Sequence, residues 1–143
     1  MKLKLSTEGT EQVKVLAVVS CEPLYKVAWL LNQQFGWSLA EAEVLSVINK
    51  EHTDIQQFVV FAWSNAESGT NYYLIQNKGT RGALEPAMRT VDYWLRIENG
   101  DDAGNVAQEI KKIDGIQIVQ EIAPADLKKN SPVFRTPLYQ SNL

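Results

Sequence analysis

The stretch TVDYWLRIEN, residues 90–99, decides the fold because apolar and polar side chains alternate along it. Successive side chains of a β-strand point to opposite faces of the sheet, so this alternation predicts a strand over Thr90–Glu98 with one buried face. The apolar set, which we assign to the core, is Val91, Tyr93, Leu95 and Ile97. The opposite set, which we expect to face outwards, is Thr90, Asp92, Trp94 and Arg96.

The outer face of this strand has two interpretations. At a rise of about 3.3 Å per residue, Asp92 and Arg96 lie roughly 13 Å apart and cannot pair directly along the strand. The simpler interpretation is a solvated face on which Asp92 caps the preceding turn. The other is an aromatic platform with a charge at each edge, since Trp and Arg are enriched at interface hot spots.

The segment after the strand predicts a β-α-β unit. Val106, Ile110 and Ile113 are spaced as on an amphipathic helix that begins near Asp101 or Asp102, and Ile116–Ile122 reads as a strand. Short connections favour parallel strands joined by a right-handed crossover.

The segment before the strand predicts the rest of the sheet. A β-branched run is followed by a helical pattern, with Pro23 in the first helical turn and Gly36 at the end of the helix. The predicted elements are an edge strand Met1–Ser6, a strand Val13–Ser20, a helix 24–35, a hairpin of strands Gln57–Asn65 and Asn71–Lys78, and a loop Gly79–Met88. Residues 38–49 have two interpretations, a helix that begins at the capping-box pattern of 38–41 or a turn leading into a β-rich strand, and we favour the second.

These elements predict one α+β domain over residues 1–129 and a loosely ordered tail over 130–143, in which the prolines 132 and 137 lie. The sheet is expected to be mostly antiparallel with two helices on one face. The order β-α-β-β-β-β-α-β suggests a split-βαβ, ferredoxin-like plan enlarged by a hairpin. The other sheet face must then be solvated or shielded by a partner.

Composition narrows the class of protein. The chain has 143 residues, 45% hydrophobic and 22% charged, which suits one globular domain. A net charge of −3 disfavours binding to nucleic acid, whose phosphates are negatively charged. The apolar run Val15–Val19 is far below the roughly 18 residues that span a bilayer, and the polar start is not a leader, so we expect a soluble, cytoplasmic protein.

No catalytic or metal motif stands out. Cys21 is the sole cysteine, so it excludes an internal disulfide, and a dyad with His52 has no spacing signature behind it. Gly79–Gly82 lacks the lysine-serine ending and the helix of a phosphate loop. We predict no metal and no cofactor.

Four segments resemble a known bacterial family. They are AWLLN (28–32), YYLIQNKG (72–79), EPAMRTVDYWLRI (85–97) and IKKIDGIQIVQEI (110–122). In this order they are similar to the IPExxxVDY family, named for its signature. Pro86, Val91, Asp92 and Tyr93 match that signature, whereas Glu85 and Ala87 stand in place of its isoleucine and glutamate. The resemblance implies a small cytoplasmic bacterial protein and brings no established activity, cofactor or catalytic residue.

The functional hypotheses concern the outer face. The leading one is a non-catalytic binding or regulatory module that acts as a homodimer, because large apolar side chains on an uncovered face would otherwise meet water. Its candidate contact residues are Asp92, Trp94 and Arg96, with Tyr73 and Asn77 on a neighbouring strand. One alternative is a small hydrolase or transferase that uses Asp92 as base beside Arg96 in a deep pocket. The other is an RNA-associated protein, which the acidic surface argues against.

Overall fold

The secondary structure follows the predicted order of elements. A computed structural model of the protein describes residues 13–42, 44–49, 54–100, 103–127 and 131–135. Within these ranges the strands are β1 (Val13–Val19), β2 (Ala40–Glu41), β3 (Leu45–Asn49), β4 (Asp54–Phe58), β5 (Val60–Ser64), β6 (Asn71–Gln76), β7 (Tyr93–Glu98) and β8 (Ile118–Ile122). The helices are α1 (Leu24–Phe35), α2 (Ala103–Ile110) and α3 (Pro132–Arg135). Short 3-10 turns cover Pro86–Met88 and Pro124–Asp126.

The sheet confirms the predicted plan. Its strand order is β2-β5-β6-β7-β1-β8, and all neighbours pair antiparallel. β7 and β8 both run antiparallel to β1, which lies between them, so they are parallel to each other as in a split βαβ unit. β5 and β2 enlarge the sheet beyond β6, and β3 and β4 form a separate hairpin.

The two long helices cover one face of the sheet, as predicted. Their buried residues, Val27, Ala28, Leu31, Val106 and Ile110 among them, pack with inward side chains of the sheet in one core. α1 ends at Gly36, which has a left-handed φ of 72° and donates its backbone N–H to the Asn32 carbonyl at 2.8 Å. That is the conformation glycine adopts at a helix C-terminus.

The opposite face is covered by the chain itself, so the expectation of a solvated or partner-shielded face is wrong. The parts of the chain that pack onto it are the β3–β4 hairpin, the loop before β7, Leu127, and the short segment that carries Val133 and Phe134. Together with inward residues of the sheet they bury a second core around Trp94, which is 0% exposed. Strict alternation along β7 therefore marks two buried faces rather than one.

The predicted strand Gln57–Asn65 is two strands, broken at Val59. The Val59 N–H donates to Oε1 of Gln76 at 2.9 Å, and the Val59 carbonyl accepts from the Gln76 N–H at 3.0 Å. The Gln76 side chain thus accepts the hydrogen bond that a backbone carbonyl would accept in a regular sheet. The chain turns there, which lets β4 pair with β3 over the second core while β5 pairs with β6 in the main sheet.

Several boundaries also differ from prediction. β7 begins at Tyr93 because Val91 donates its N–H to the Met88 carbonyl, in a turn, at 3.2 Å. Within the tail predicted to be loosely ordered, Pro132–Arg135 form α3, and Ser131 (2% exposed) and Val133 (0%) are buried. The predicted strand Met1–Ser6, His52 and the helix start at residues 101–102 lie outside the described residues. In the part of the chain that the structure describes, no helix could span a membrane.

Candidate functional site

A groove opens at the end of the sheet where β6 finishes, β7 begins and α1 starts. We call it the sheet-end groove. It encloses about 520 Å³, within the range of small-molecule sites. Its lining residues are Pro23, Leu24, Tyr25, Glu41, Val59, Phe61, Gln76, Lys78, Asp92 and Tyr93.

Asp92 lines this groove and binds groups that follow β1 and β6. One carboxylate oxygen, Oδ2, accepts the backbone N–H of Ser20 at 2.9 Å, and the other, Oδ1, forms an ion pair with Nζ of Lys78 at 2.9 Å. The Asp92 backbone N–H also donates to the Val18 carbonyl at 3.0 Å. The side chain therefore links the end of β1 to the residues after β6, which is neither the turn cap of the simpler interpretation nor the charged edge of the other.

Tyr93 fastens the start of α1 to the sheet. Its half-buried hydroxyl donates to the Glu22 carbonyl at 2.5 Å. Burial raises the pKa of the Tyr93 phenol above its ordinary value of 10.0, and the negative charges of Asp92 and Glu22 raise that pKa further. The phenol therefore stays protonated at neutral pH and keeps donating.

The charges of the groove do not cancel. Lys78 and Asp92 neutralise one another, with side chains that are 54% and 19% exposed. Glu41 is exposed on β2 and makes no ion pair with the residues that the structure describes. Gln76 has no free polar end, because its Nε2 donates to the Lys78 carbonyl at 2.6 Å and its Oε1 accepts from Val59. Counting ion pairs among the described residues alone, the lining carries one negative charge beyond the Lys78–Asp92 pair.

Most of the residues predicted as a contact surface lie inside the protein. Trp94 and Asn77 are 0% exposed, Tyr73 4% and Arg96 5%, all on the second-core side of the sheet. Arg96 donates from Nη1 to the Val133 carbonyl at 3.3 Å and pairs through Nη2 with Oε2 of Glu98 at 2.8 Å. A partner could reach these side chains only after the covering segments had moved away. Of the five residues, Asp92 alone lines the groove.

Asn77 organises the loop between β6 and β7. Its Nδ2 donates to the carbonyls of Met88 (3.1 Å) and Val91 (2.7 Å). Its Oδ1 accepts from the backbone N–H of Glu85 (3.0 Å) and from Nε1 of Trp94 (2.8 Å). Every donor and acceptor position of this buried amide that its geometry offers is thus used.

The signature-like segment serves the fold. Glu85 is 2% exposed and accepts a hydrogen bond from Oγ of Ser131 at 2.6 Å, which ties the loop to the segment carrying α3. Val91 is buried in the second core, and Asp92 and Tyr93 hold β1 and α1 as described above. Residues that resemble a catalytic or binding motif in the sequence thus stabilise the packing of other segments against the sheet.

The structure does not assemble the proposed catalytic pair. The Asp92 side chain lines the groove, whereas the buried Arg96 side chain contacts the Val133 carbonyl of α3. Cys21 is exposed, and its hypothetical partner His52 is outside the described residues. Among the described residues, no group of three or more His, Cys, Asp or Glu side chains could hold a metal ion.

Sequence reasoning missed most of the groove. Glu41 lies on β2, whereas Val59 and Phe61 lie at the break before β5 and on β5, so no local pattern connects them. One signal pointed there: Tyr25 and Trp29 fall off the apolar stripe of α1, and the structure leaves them 69% and 52% exposed. Nζ of Lys26 lies 5.4 Å from the centre of the Trp29 ring, a cation–π distance.

Compared with models of known protein families and with curated protein sequences, the chain matches none.

Proposed function

We propose that the protein is a non-catalytic binding module that holds a small ligand in the sheet-end groove and acts as a homodimer. The observation that carries the first part is the groove itself. Apolar and aromatic walls with a few fixed polar groups are what small-molecule sites usually offer. The sheet-end groove lies where α1, β2, β5, β6 and β7 meet, so regular secondary structure sets its shape.

The state of the polar groups favours binding over chemistry. Both oxygens of Asp92 are engaged, one by Ser20 and one by Lys78. The Tyr93 hydroxyl and the Gln76 amide are engaged as well. Each of these groups thus holds a neighbouring backbone or side-chain group in place, which supports a structural role for them rather than proton transfer.

A fragment screen tests the binding site. Aromatic fragments are titrated into ¹⁵N-labelled protein, and amide shifts are followed. We expect shifts on residues that line the groove and weaker binding to Tyr25→Ala, whose exposed ring forms the rim. Ile118→Ala is the matched control, because Ile118 is also exposed (55%) but lies on the edge strand β8. Binding that maps elsewhere, or that both variants weaken equally, would contradict the proposal.

Self-association needs a different surface from the one the sequence suggested, because the outer sheet face is covered. Among the described residues, the exposed aromatic pair Tyr25 and Trp29 on one side of α1 offers an apolar contact for a second copy. Sedimentation velocity over a range of concentrations tests this part. A dimer that Trp29→Ala dissociates supports it, and a monomer at all concentrations removes it from the proposal.

Membership of the IPExxxVDY family is also part of the proposal, and with it a bacterial, cytoplasmic protein. The structural use of Val91, Asp92 and Tyr93 supports it, since residues that hold β1, α1 and the second core together are ones a family would keep. Solving a family member with an intact signature tests it. The same three contacts should recur, and a different fold would refute membership.

A further inference from the structure

We infer that the ligand of the sheet-end groove has an apolar, ring-sized body and a single positive charge. This inference rests on the proposed function, because it names the class of ligand for that same groove. It follows from which charges of the lining are already paired and which are not.

Glu41 is the charge left for a ligand. The other charged side chains of the lining, Lys78 and Asp92, form an ion pair of 2.9 Å and need no further partner. Glu41 is exposed on β2 and lacks an ion pair within the described parts of the chain. A cationic group placed beside Glu41 completes the charge balance of the groove and disturbs no existing contact.

An anionic ligand fits the same lining badly. To reach the ammonium group of Lys78, it would have to separate that group from Asp92. The Asp92 side chain is only 19% exposed, and it would be left with the Ser20 N–H as its remaining partner. The anion would also face Glu41. The same repulsion applies to nucleic-acid phosphates, which disfavours an RNA ligand in this groove.

The walls specify the body of the ligand. Leu24, Val59 and Phe61 supply apolar surface, and the exposed ring of Tyr25 stands at the rim. Aromatic faces attract cations as well as apolar groups, so Phe61 and Tyr25 suit a ligand in which a ring and an amine are close together. The ligand class is therefore an aryl- or branched alkylamine.

Three matched probes test this inference: 2-phenylethylamine, 2-phenylethanol and 3-phenylpropionate. They share a ring and differ in charge. Each is titrated into labelled protein at neutral pH and low salt, and dissociation constants come from the groove amide shifts. We expect the amine to bind about two- to fivefold more tightly than the alcohol, the range of one exposed ion pair, and the acid to bind most weakly.

Variants assign the preference to one carboxylate. Glu41→Gln should bring the amine and the alcohol to equal affinity. Glu67→Gln is the control, because Glu67 is exposed in the turn between β5 and β6 at the other end of the sheet, and it should keep the preference.

The outcomes separate the inference from the proposed function. If the alcohol or the acid binds in the groove as tightly as the amine, or if Glu41→Gln keeps the preference, the cationic ligand class is wrong while the groove remains a binding site. If none of the probes shifts a groove amide at roughly 10 mM, where weak fragment binding is still measurable, the proposed function fails with it.

Discussion

Removing the Asn77 side chain is the sharpest structural perturbation, because one buried amide serves four hydrogen bonds. Asn77→Ala leaves two backbone carbonyls, one backbone N–H and the Trp94 indole N–H without that partner. The residue is 0% exposed, so water does not reach these groups without a change in packing.

The magnitude follows from the cost of unsatisfied groups. A buried donor or acceptor that loses its partner costs about 1–3 kcal/mol, and relaxation of the loop recovers part of the sum. We therefore expect Asn77→Ala to lower the free energy of unfolding by about 3–5 kcal/mol, near the upper end for single substitutions.

Urea denaturation of matched variants measures this. Asn71→Ala is the control: Asn71 lies on the same strand and its side chain bonds to Ser64 and Glu98, but it is half-exposed and should cost less than about 1 kcal/mol. Trp94→Phe provides a milder probe if Asn77→Ala does not fold. It removes the bond to Asn77 Oδ1 while keeping most of the apolar ring, and should cost about 1–3 kcal/mol.

A double variant completes the argument. Because Asn77 and Trp94 are hydrogen-bonded, their effects should be non-additive by about 0.5–3 kcal/mol. Equal costs for Asn77→Ala and Asn71→Ala, or strict additivity with Trp94→Phe, would refute the account of a buried network that fastens the loop between β6 and β7.

Three further predictions concern other parts of the fold. Gly79→Ala should destabilise by about 1–3 kcal/mol, because a Cβ there would lie 2.8 Å from Cε1 of the buried Phe58 ring. Gly104→Ala in α2 meets nothing within 4 Å and should stabilise by about 0.4–1 kcal/mol; thermal unfolding compares the two variants, and the reverse order would contradict this. Because the pKa of the Tyr93 phenol is raised on folding, its contribution to stability is fully present below pH 10.0 and is lost as pH rises through the higher folded-state pKa. The free energy of unfolding of Tyr93→Phe should therefore fall less steeply with pH in the alkaline range than that of the unsubstituted protein. Identical slopes of this free energy against pH would refute this. Val133→Ala should lower the free energy of unfolding by about 1–3 kcal/mol, because Val133 is 0% exposed in the second core, and a chemical-denaturation midpoint equal to that of the unsubstituted protein would mean that α3 does not pack there.

The secondary-structure elements with a clear residue pattern are predictable from sequence. β1 is a β-branched run, α1 and β7 carry periodic patterns, and Gly36 ends α1 where the pattern stops. Short connections on either side of α2 place β7 and β8 parallel to each other, which leaves room for β1 between them. Local propensity and connection length therefore determine the split βαβ plan.

The second core is not predictable in the same way. Alternation along β7 separates Trp94 from Leu95 by face, but it does not say which faces are covered. The covering segments come from the β3–β4 hairpin, the loop that contains Leu84, and the chain around Val133, none of which has a strong period of its own. A charged residue such as Arg96 suggests solvent, yet here its two terminal nitrogens contact Glu98 and the Val133 carbonyl inside the protein.

The groove escapes sequence reasoning for a related reason. Its walls are contributed by α1, β2, β5, β6 and β7, so its residues share no spacing. The break at Val59 and the side chain of Gln76 set where β5 begins, and both depend on pairing that only the folded chain reveals.

Hydrogen exchange at the tryptophan indoles tests most directly the central claim that the chain covers both faces of its own sheet. The Nε1 proton of Trp94, identified through Trp94→Phe, should exchange on the timescale of global unfolding because it is buried and bonded to Asn77. The indole proton of Trp29, whose ring is 52% exposed, should exchange rapidly. Exchange of the Trp94 proton as fast as that of Trp29 would place the second face in water and contradict the account.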